Sequence, residues 1–376
     1  NFKSTHESVM KRALFVANLD SFHKNFHLPY VKRLQERGYE VELVSTGNVD
    51  FSKVAVKHDI EFGRSPLKKQ NIPAFKQFRS LLKKNYYDII YFSTPVIGAV
   101  GRLALIGTKH GRVIYSAHGY SFYDGNGRLS NWKYIAIEKA LCHLTDSTFT
   151  MNKEDYEACQ RYHFPCKEIY NVDGVGVDLS VYAKVTPAEK AALRKHYQYN
   201  EKDFILIYPA EFTERKNQFL LLMAMQFLKK KHQNVKLLLL GRGVKEEELK
   251  QLAKEMKVDD CVHFLGYRSD VNQLLKMSDV LFASSINEGL PINMMEALAT
   301  GLPVVATNTR GQNDLITDGY NGFLYELGCP EVASDKICRL IEDNALYEEI
   351  SIHAVESSKK YDIRVVVPQY DKVFGI

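Results

Sequence analysis

The sequence has little of what marks several large protein classes. Its six cysteines include no Cys-x-x-Cys pair, so no zinc ribbon or thioredoxin-like motif is predicted, and we expect buried thiols in a reducing compartment. No Gly-x-Gly-x-x-Gly opens a strand–helix unit, which argues against a hydride-transferring dehydrogenase. No apolar run approaches the ~20 residues that span a bilayer, and the polar start does not resemble a signal peptide. Residues 1–9 are expected to be a leader or an expression remnant.

Length and charge indicate two domains. A chain of 376 residues is too long for one ordinary core. Residues 1–180 hold 25 Lys and Arg against 18 Asp and Glu (+7), whereas residues 181–376 hold 25 against 27 (−2). A basic first half beside a near-neutral second half indicates either different binding partners or ordinary scattered surface lysines.

Short β-branched runs alternate with helix-length amphipathic stretches, which is typical of βα units around a parallel sheet. The predicted strands are Ala13–Asn18, Val41–Ser45, Ile89–Phe92, Val113–Ala117, Phe204–Pro209, Val235–Leu240, Val262–Leu265, Val280–Ala283 and Val304–Ala306. The predicted helices are His27–Arg37, Pro73–Tyr86, Ser130–Leu144, Lys153–Tyr162, Asn217–Lys230, Glu246–Met256 and Val271–Lys276. The expected fold is α/β, with two Rossmann-like doubly wound domains, residues 10–180 and 181–357, facing a central cleft.

One loop of the second half carries the clearest chemical signal. Glu288 precedes a helix whose first turn is expected to contain Pro291, and Glu296 lies inside that helix. Between the two carboxylates, the amides of Gly289 and Leu290 form an anion site that the helix dipole favours. Carboxylates accept hydrogen bonds from paired hydroxyls and amides bind phosphate, so the segment suits a nucleotide sugar. A plain helix start with an exposed mid-helix Glu is the structural alternative.

The pair Glu288-x7-Glu296, with the helix end and strand that follow through Thr307, resembles the E-x7-E motif of family-4 (group 1) retaining glycosyltransferases of GT-B fold. The resemblance covers most of residues 204–325. It implies that Glu288 approaches the donor sugar, that Glu296 binds the ribose hydroxyls, and that residues 358–376 return to the first domain. It also implies catalysis without a metal, and the chain contains no Asp-x-Asp to indicate otherwise.

A second element concerns the donor diphosphate. Where the family carries Gly-Arg-Leu-x3-Lys, whose two cations contact the diphosphate, Lys216 falls on the lysine and Glu211 replaces the arginine. A cation there stabilises the negative charge that grows on the leaving group as the glycosidic bond breaks. Either Arg215 substitutes for the missing arginine, or Lys216 acts with the helix amides alone.

Two weaker signals fall where the family places the nucleotide. Gly241 begins a Gly-Arg-Gly sequence after a predicted strand, a pattern that is often only a turn. Tyr267 and Arg268 match the segment that reads the nucleobase, although they also fit a plain strand end.

Candidate residues in the first half follow predicted strands. His118 matches the family's histidine near the donor sugar, and its imidazole is expected to titrate near neutral pH; a hydrogen-bonded structural histidine is the alternative. Ser21 and Phe22 stand where many relatives have a glycine-rich turn, and they are expected to neighbour the sugar or the acceptor. His23 and His27 are four residues apart, but no carboxylate lies nearby, so no metal site is predicted.

The predicted helix Pro73–Tyr86 is basic and amphipathic. Its apolar side holds Phe75, Phe78, Leu81 and Leu82, and its cations are Lys76, Arg79, Lys83 and Lys84. With Lys68 and Lys69, this basic part of the first half suggests contact with an anionic membrane surface. An ordinary surface helix covering the sheet is the alternative.

The residues and the resemblance predict a retaining glycosyltransferase similar to bacterial capsule and exopolysaccharide enzymes. It is expected to move a sugar from a nucleoside diphosphate sugar, with a UDP-sugar favoured, to a lipid-linked saccharide. We expect it in the cytoplasm, peripheral on the inner face of the cell membrane, with no cofactor and no nucleic-acid partner. A nucleotide-sugar 2-epimerase shares the two-domain plan but should not need this motif with Lys216. A catalytically idle partner subunit is favoured only by Glu211.

Overall fold

The computed structural model describes residues 10–63, 65 and 68–376, so the predicted leader at residues 1–9 lies outside the described residues. The chain forms two compact units. The first comprises the residues up to Val172 together with Val367–Ile376, and the second comprises Asp173–Val366. Within the described part of the chain, no helix combines the length and apolar character needed to cross a membrane.

Both unit boundaries differ from the predicted ones at residues 180 and 357, and backbone pairing explains why. The N–H of Val177 donates to the carbonyl of Tyr361 (2.8 Å), and the N–H of Ile363 donates to the carbonyl of Val177 (2.9 Å). Gly176 has a φ of +80°, and a Cβ there would lie 2.9 Å from the Cα of Ile363. The segment that begins at residue 173 is therefore tied to residues 361–363, and both belong to the second unit.

The first unit is built on a seven-stranded parallel sheet in the order β3-β2-β1-β4-β5-β6-β7. Residues 13–17, in one of its interior strands, are completely buried. Strands covered by helices on both faces need such continuous apolar runs. The strands are β1 (Lys11–Leu19), β2 (Tyr39–Thr46), β3 (Val56–Asp59), β4 (Ile89–Ser93), β5 (Arg112–Ser116), β6 (Ser147–Thr150) and β7 (Glu168–Asn171).

The helices of the first unit connect these strands. A π-helical turn, His23–His27, separates α1 (Asp20–Phe22) from α2 (Leu28–Glu36). The remaining helices are α3 (Asn71–Lys84), α4 (Pro95–Ala104), α5 (Arg128–Cys142) and α6 (Lys153–Arg161). The side chain of Asn152 caps α6 by accepting a hydrogen bond from the N–H of Asp155 (2.8 Å).

The second unit is built on a six-stranded parallel sheet in the order β10-β9-β8-β11-β12-β13. The strands are β8 (Phe204–Pro209), β9 (Val235–Leu240), β10 (Val262–Gly266), β11 (Val280–Phe282), β12 (Val304–Thr307) and β13 (Gly322–Tyr325). The helices are α7 (Pro187–His196), α8 (Gln218–Lys231), α9 (Glu246–Glu255), α10 (Val271–Met277), α11 (Ile292–Ala299), α12 (Pro330–Glu342), α13 (Asn344–Ser358) and α14 (Ile363–Val366), with a 3₁₀ turn at Lys359–Tyr361.

The C-terminal helix α15 (Gln369–Phe374) belongs to the first unit. The ring of Tyr370 stacks on that of Tyr30 with centroids 4.0 Å apart. Asp371 forms an ion pair with Arg33, with 2.6 Å between Nη2 and Oδ2. These contacts anchor the last ten residues against α2.

Four strands were not predicted, and their composition explains this. Strands β3, β6 and β7 read Val-Lys-His-Asp, Ser-Thr-Phe-Thr and Glu-Ile-Tyr-Asn, without the apolar runs of the central strands. β13 is short and begins with glycine. Pairing with a neighbouring strand, rather than local sequence, defines such strands. The cysteines are free; Cys166 and Cys329 are half-buried and the other four are buried.

Candidate functional site

The carboxylate of Glu288 lies at the centre of a charged cluster in the second unit. Glu288 follows β11 in the loop before α11, and only 7% of it is exposed. Its Oε1 forms an ion pair with Nζ of Lys216, and its Oε2 lies 2.6 Å from Nη1 of Arg215. Ser285 Oγ also donates to Oε1 (2.6 Å). The loop after β8 and the loop after β11 therefore bring two cations to one carboxylate.

The opposite charges of this cluster favour one another's ionised forms. Burial by itself raises the pKa of Glu288, but the charges of Lys216 and Arg215 outweigh burial, so the pKa lies below its ordinary value. Burial lowers the pKa of Lys216, although attraction to Glu288 opposes that shift. Glu211 is exposed, and its negative charge acts on both cations. The cluster thus combines two cations with two carboxylates.

Backbone contacts hold the Glu288 loop in place. The N–H of Glu288 donates to the carbonyl of Arg310 (3.1 Å), and Nε of Arg310 donates to the carbonyl of Glu288 (3.0 Å). Gly311 has a φ of +79°, and a Cβ there would lie 2.6 Å from the carbonyl oxygen of Gly289. Only glycine allows this approach without strain.

Helix α11 starts one residue later than predicted. Pro291 is its N-cap, with extended backbone (φ −72°, ψ 115°), and Ile292 is the first helical residue. Pro291 is buried, whereas Gly289 and Leu290 before it are half-buried. Gly289 and Leu290, whose amides were predicted to form an anion site, therefore lie directly before the N-terminus of α11.

Glu296 lies within α11 and is half-buried. Burial raises its pKa to about 7, and a hydrogen bond from the hydroxyl of Tyr182 opposes that shift. Tyr182 was not predicted as a site residue, because nothing in its local sequence connects it with α11. This carboxyl group changes its charge within the physiological pH range.

A buried polar network supports the loop from below, and sequence reasoning missed it. The hydroxyl of Tyr208 on β8 lies 2.6 Å from Ser285 Oγ, and so links β8 to the serine that contacts Glu288. The carbonyl of Ser285 accepts hydrogen bonds from Thr307 Oγ1 (2.6 Å) and Gln312 Nε2 (2.9 Å). Buried hydrogen bonds of this kind restrict the conformation of the loop.

The residues predicted to lie near the nucleotide, Gly241, Tyr267 and Arg268, differ in their burial and contacts. Gly241 has a φ of +143°, and a Cβ there would lie 2.1 Å from the carbonyl of Ala210, so close backbone packing requires glycine. Tyr267 is 76% exposed. Arg268 instead donates from Nε to Oδ1 of Asp270 (2.8 Å), and this ion pair holds its guanidinium at the start of α10. The position of Arg268 is thus explained by a structural role.

In the first unit, His118 follows β5 with a φ of +50° and is half-buried. Burial lowers its pKa to about 4, so the expectation that it titrates near neutral pH was wrong. Its ring meets that of Phe22 edge to face, with centroids 5.1 Å apart. Thr94, after the neighbouring strand β4, has a φ of +77° and donates to Oδ1 of Asn18 (2.8 Å). Strained backbone of this kind concentrates at functional sites.

The other residues of the first βα loop divide into exposed and buried ones. Ser21 is exposed and Phe22 is half-buried, so both are accessible at the carboxyl edge of the sheet. His23 and His27 are buried, with 2.8 Å between their Nδ1 atoms, and Nε2 of His23 bonds to the carbonyl of Val44 (3.1 Å). The two imidazoles bond to each other within the π-helical turn, which gives them a structural role.

Comparison with known proteins assigns the chain to a family. Residues 189–356 match the family described as glycosyl transferases group 1, and residues 12–151 match the family glycosyl transferase 4-like. The putative glycosyltransferase EpsD of Bacillus subtilis (strain 168) is 37% identical over 323 residues, which cover 85% of this chain and 84% of that protein. The chain belongs to the group 1 glycosyltransferases. It is therefore an enzyme of the class that the motif Glu288-x7-Glu296 predicted.

Further relatives extend the comparison to known substrates and structures. This glycosyltransferase is 27% identical over 289 residues to the UDP-Gal:alpha-D-GlcNAc-diphosphoundecaprenol alpha-1,3-galactosyltransferase of Escherichia coli, with 74% of each chain covered. The crystal structure of Anabaena HepE in complex with UDP and glucose matches it with a TM-score of 0.80 and 18% identity, covering 97% of this chain and 99% of that one. The GT-B fold class is confirmed.

Proposed function

We propose that this glycosyltransferase moves a sugar, with retention of anomeric configuration, from a nucleoside diphosphate sugar to a hydroxyl of a lipid-linked saccharide. A UDP-sugar is the favoured donor, and the pathway is the assembly of a surface polysaccharide. Two relatives support these substrates: the Escherichia coli enzyme is named for UDP-Gal and a diphosphoundecaprenol acceptor, and HepE was solved with UDP and glucose.

The observation that carries the proposal is the cluster of Glu288, Lys216 and Arg215 at the N-terminus of α11. In the proposed complex, the two cations and the amides of Gly289 and Leu290 bind the diphosphate. Arg215 takes the place of the arginine that Glu211 replaces, because it reaches the same carboxylate as Lys216. Charge supplied by the protein takes the role that a divalent cation has in other transferases, so the reaction needs no metal.

The other residues position the donor. Glu296 accepts hydrogen bonds from the ribose hydroxyls, and Glu288 orients the sugar. Gly241 and Tyr267 lie at the nucleotide, with Tyr267 free to stack on the base because its ring is exposed. His118, which is neutral at physiological pH, bonds to a sugar hydroxyl.

The reaction breaks the bond between the anomeric carbon and the diphosphate oxygen, and forms a bond from the same carbon to the acceptor hydroxyl oxygen. The acceptor proton moves to the departing diphosphate oxygen, on the face from which the acceptor attacks. Lys216 and Arg215 stabilise the charge that develops on that oxygen. Ser21 and Phe22 neighbour the acceptor. The enzyme works in the cytoplasm, at the inner face of the cell membrane, where such an acceptor is held.

A thermal-shift screen of the whole chain with UDP-, GDP- and ADP-sugars tests donor binding. A donor at 100 times its Kd stabilises the protein by about 2.7 kcal/mol, which raises Tm by about 5–10 °C for a unit of this size. We expect one nucleotide class to give this shift. The variant Glu288→Gln should lose most of it, whereas the control Glu331→Gln, an exposed residue on α12, should keep it.

Release of nucleoside diphosphate then distinguishes the activities. A transferase releases it only when a diphosphoundecaprenol-linked saccharide is added. Release without any acceptor would indicate a nucleotide-sugar 2-epimerase. Donor binding with no turnover on any lipid-linked acceptor would indicate an idle partner subunit, and no shift with any donor at millimolar concentration would contradict the proposal altogether.

A further inference from the structure

Three side chains that can ligate a metal come together in the second unit, outside the cluster around Glu288. His232 follows the last residue of α8, and Cys338 and Glu342 belong to the C-terminal half of α12. One ligand atom from each lies within 4.8 Å of the ligand atoms of the other two. Within the described part of the chain, this is the only group of three His, Cys, Asp or Glu residues that meets in this way. We name these three residues the α8–α12 cluster.

Local structure determines where each side chain of the α8–α12 cluster starts. Cys338 and Glu342 are four residues apart, so they share one face of α12. His232 is the C-cap of α8, with extended backbone (φ −135°, ψ 106°), and its Nε2 lies 3.1 Å from Oε1 of Glu342. The neighbouring Lys231 forms an ion pair with Asp335 of α12, with 2.8 Å between Nζ and Oδ1. The ends of α8 and α12 are therefore already held side by side.

The α8–α12 cluster extends from the core to the solvent. Cys338 is buried, His232 is half-buried and Glu342 is exposed. An ion can therefore enter at the carboxylate and reach a thiol that is shielded from water. Ser334, one turn before Cys338, is completely buried, and its hydroxyl interacts with the sulfur and otherwise has no hydrogen-bond partner among the described residues. It can donate to a metal-bound thiolate, as outer-shell groups at metal sites do.

The charge around the α8–α12 cluster favours a cation. Both helices end there, and the unpaired carbonyls at a helix C-terminus carry partial negative charge. A neutral imidazole, a thiolate and a carboxylate together carry two negative charges, which balance a divalent ion. Lys229, in the last turn of α8, pairs with Asp260 (2.6 Å). Lys336 of α12 pairs with Asp318 (3.1 Å). These lysines thus have carboxylate partners of their own.

The three ligand types indicate which metal fits. Thiolate and imidazole together favour Zn²⁺ over Mg²⁺ and Ca²⁺, which take oxygen ligands. Zn²⁺ binds such ligands tetrahedrally at about 2.0–2.3 Å, which places the ligand atoms about 3.3–3.8 Å from one another. The ligand atoms lie within 4.8 Å of one another before any ion is present, so an approach of about 1 Å, within the range of side-chain torsions, completes the geometry.

We propose that His232, Cys338 and Glu342 bind one Zn²⁺ ion, with a water molecule as the fourth ligand. The thiol of Cys338 loses its proton to solvent as the bond between zinc and sulfur forms. The ion then joins the end of α8 to the end of α12 and stabilises the second unit. A hydrogen-bonded pair of His232 and Glu342 beside an ordinary buried thiol is the alternative.

The zinc site is separate from the proposed transfer chemistry. Helix α8 starts after the carboxyl end of β8, close to Lys216, and spans 14 residues, or about 21 Å. It ends just before β9 begins at Val235. The α8–α12 cluster therefore lies at the amino edge of the six-stranded sheet, whereas Glu288 follows β11 at the carboxyl edge. We expect Zn²⁺ to change the stability of the protein and to leave kcat unchanged.

A titration with Co²⁺, which substitutes for Zn²⁺ and absorbs light when it is bound, tests the ligands directly. The full chain, without a histidine tag, is first freed of metal with a chelator. We expect intense visible bands from tetrahedral Co²⁺ and a near-ultraviolet charge-transfer band from a thiolate ligand. Cys338→Ala should lose the charge-transfer band, whereas Cys329→Ala, at the N-cap of the same helix, should keep it. Added Zn²⁺ should displace Co²⁺ and remove both signals.

Isothermal titration calorimetry of the metal-free chain with Zn²⁺ measures the affinity. His232→Gln, Cys338→Ala and Glu342→Gln should each weaken the tightest site by about tenfold or more, since even the loss of an outer-shell group costs that much. The exposed controls His196→Gln and Glu331→Gln should leave the affinity unchanged. Zn²⁺ at 100 times its Kd should raise Tm by about 5–10 °C, and a chelator should reverse the shift.

Other outcomes overturn the proposal. A charge-transfer band that persists in Cys338→Ala, or an affinity for Zn²⁺ that His232→Gln leaves unchanged, would place the metal elsewhere. Absence of any Zn²⁺-dependent shift in Tm would show that the α8–α12 cluster is a plain hydrogen-bonded pair beside a thiol. A kcat that requires Zn²⁺ would contradict a purely stabilising role. The melting temperature of each metal-free variant checks folding, and metal binding is measured without any donor or acceptor.

Discussion

The affinity for the donor should depend on pH through Glu296. Burial raises the pKa of this carboxyl group to about 7, and the proposed contact with the ribose hydroxyls requires an oxygen that accepts. The ordinary carboxyl value is 4.5, so a raised value means that the group gains its proton as pH falls through 7. Donor binding should therefore weaken below pH 7 and reach its plateau above pH 8.

The size of the effect follows from the titration. With a pKa of about 7, about one tenth of the molecules carry ionised Glu296 at pH 6 and about nine tenths at pH 8. If only the ionised form binds, Kd is about tenfold weaker at pH 6 than at pH 8. Two other site groups do not interfere, because the pKa of Glu288 lies below its ordinary value and that of His118 is about 4.

Isothermal titration calorimetry at pH 6, 7 and 8 measures this ratio. The ligand must be the intact nucleotide sugar, whose diphosphate is esterified at both ends and lacks the second ionisation that free UDP undergoes near pH 6. Glu296→Gln should bind more weakly and show no pH dependence. Tyr182→Phe removes a hydrogen bond that favours the ionised form, so its profile should shift to higher pH. A tenfold ratio that persists in Glu296→Gln would refute the reasoning.

Three further substitutions test the site and the first unit. Lys216→Met should lower kcat by about a hundredfold or more, with a smaller change in KM, because its charge acts most strongly on the leaving group; steady-state release of nucleoside diphosphate measures both, and an unchanged kcat would contradict the role. Gly311→Ala should lower the free energy of unfolding by about 1–3 kcal/mol in urea denaturation, and more than Gly319→Ala, which has a similar φ of +77° but no atom within 4 Å of the new Cβ. Arg102→Met should destabilise the protein by about 3–5 kcal/mol, because it leaves the buried Glu138 without its cation. Adding Glu138→Gln should recover most of that loss, and failure to do so would show that the side chain of Arg102 acts by packing alone.

Much of the fold could be predicted because the central strands bury both faces. Runs such as Leu237–Leu240 are apolar at every position, and only a covered parallel strand explains them. The short strand β6 gives no such signal, since three of its four residues are Ser or Thr although all four are buried. Its existence depends on pairing with β5 and β7, which local sequence does not contain.

The candidate site was predictable where its residues are contiguous. The segment from Glu288 to Glu296 predicts a loop followed by a helix, and the structure has both, with α11 at Ile292–Ala299. The partners of these carboxylates come from other segments: Tyr182 lies 114 residues before Glu296, and their hydrogen bond forms only in the folded unit. The lowered pKa of His118 likewise depends on burial, which residue identity alone does not reveal.

The contacts of Glu288 also bear on how fast a donor can arrive. Before any nucleotide is present, Lys216 and Arg215 already face an internal counter-ion, and Glu211 adds a second negative charge nearby. A balanced cluster attracts distant phosphates weakly, so the association rate should change little with ionic strength. Free phosphate and other small anions then gain little binding free energy from entering the Glu288 loop. In the proposed complex, selection then rests on the short-range fit of the whole nucleotide sugar.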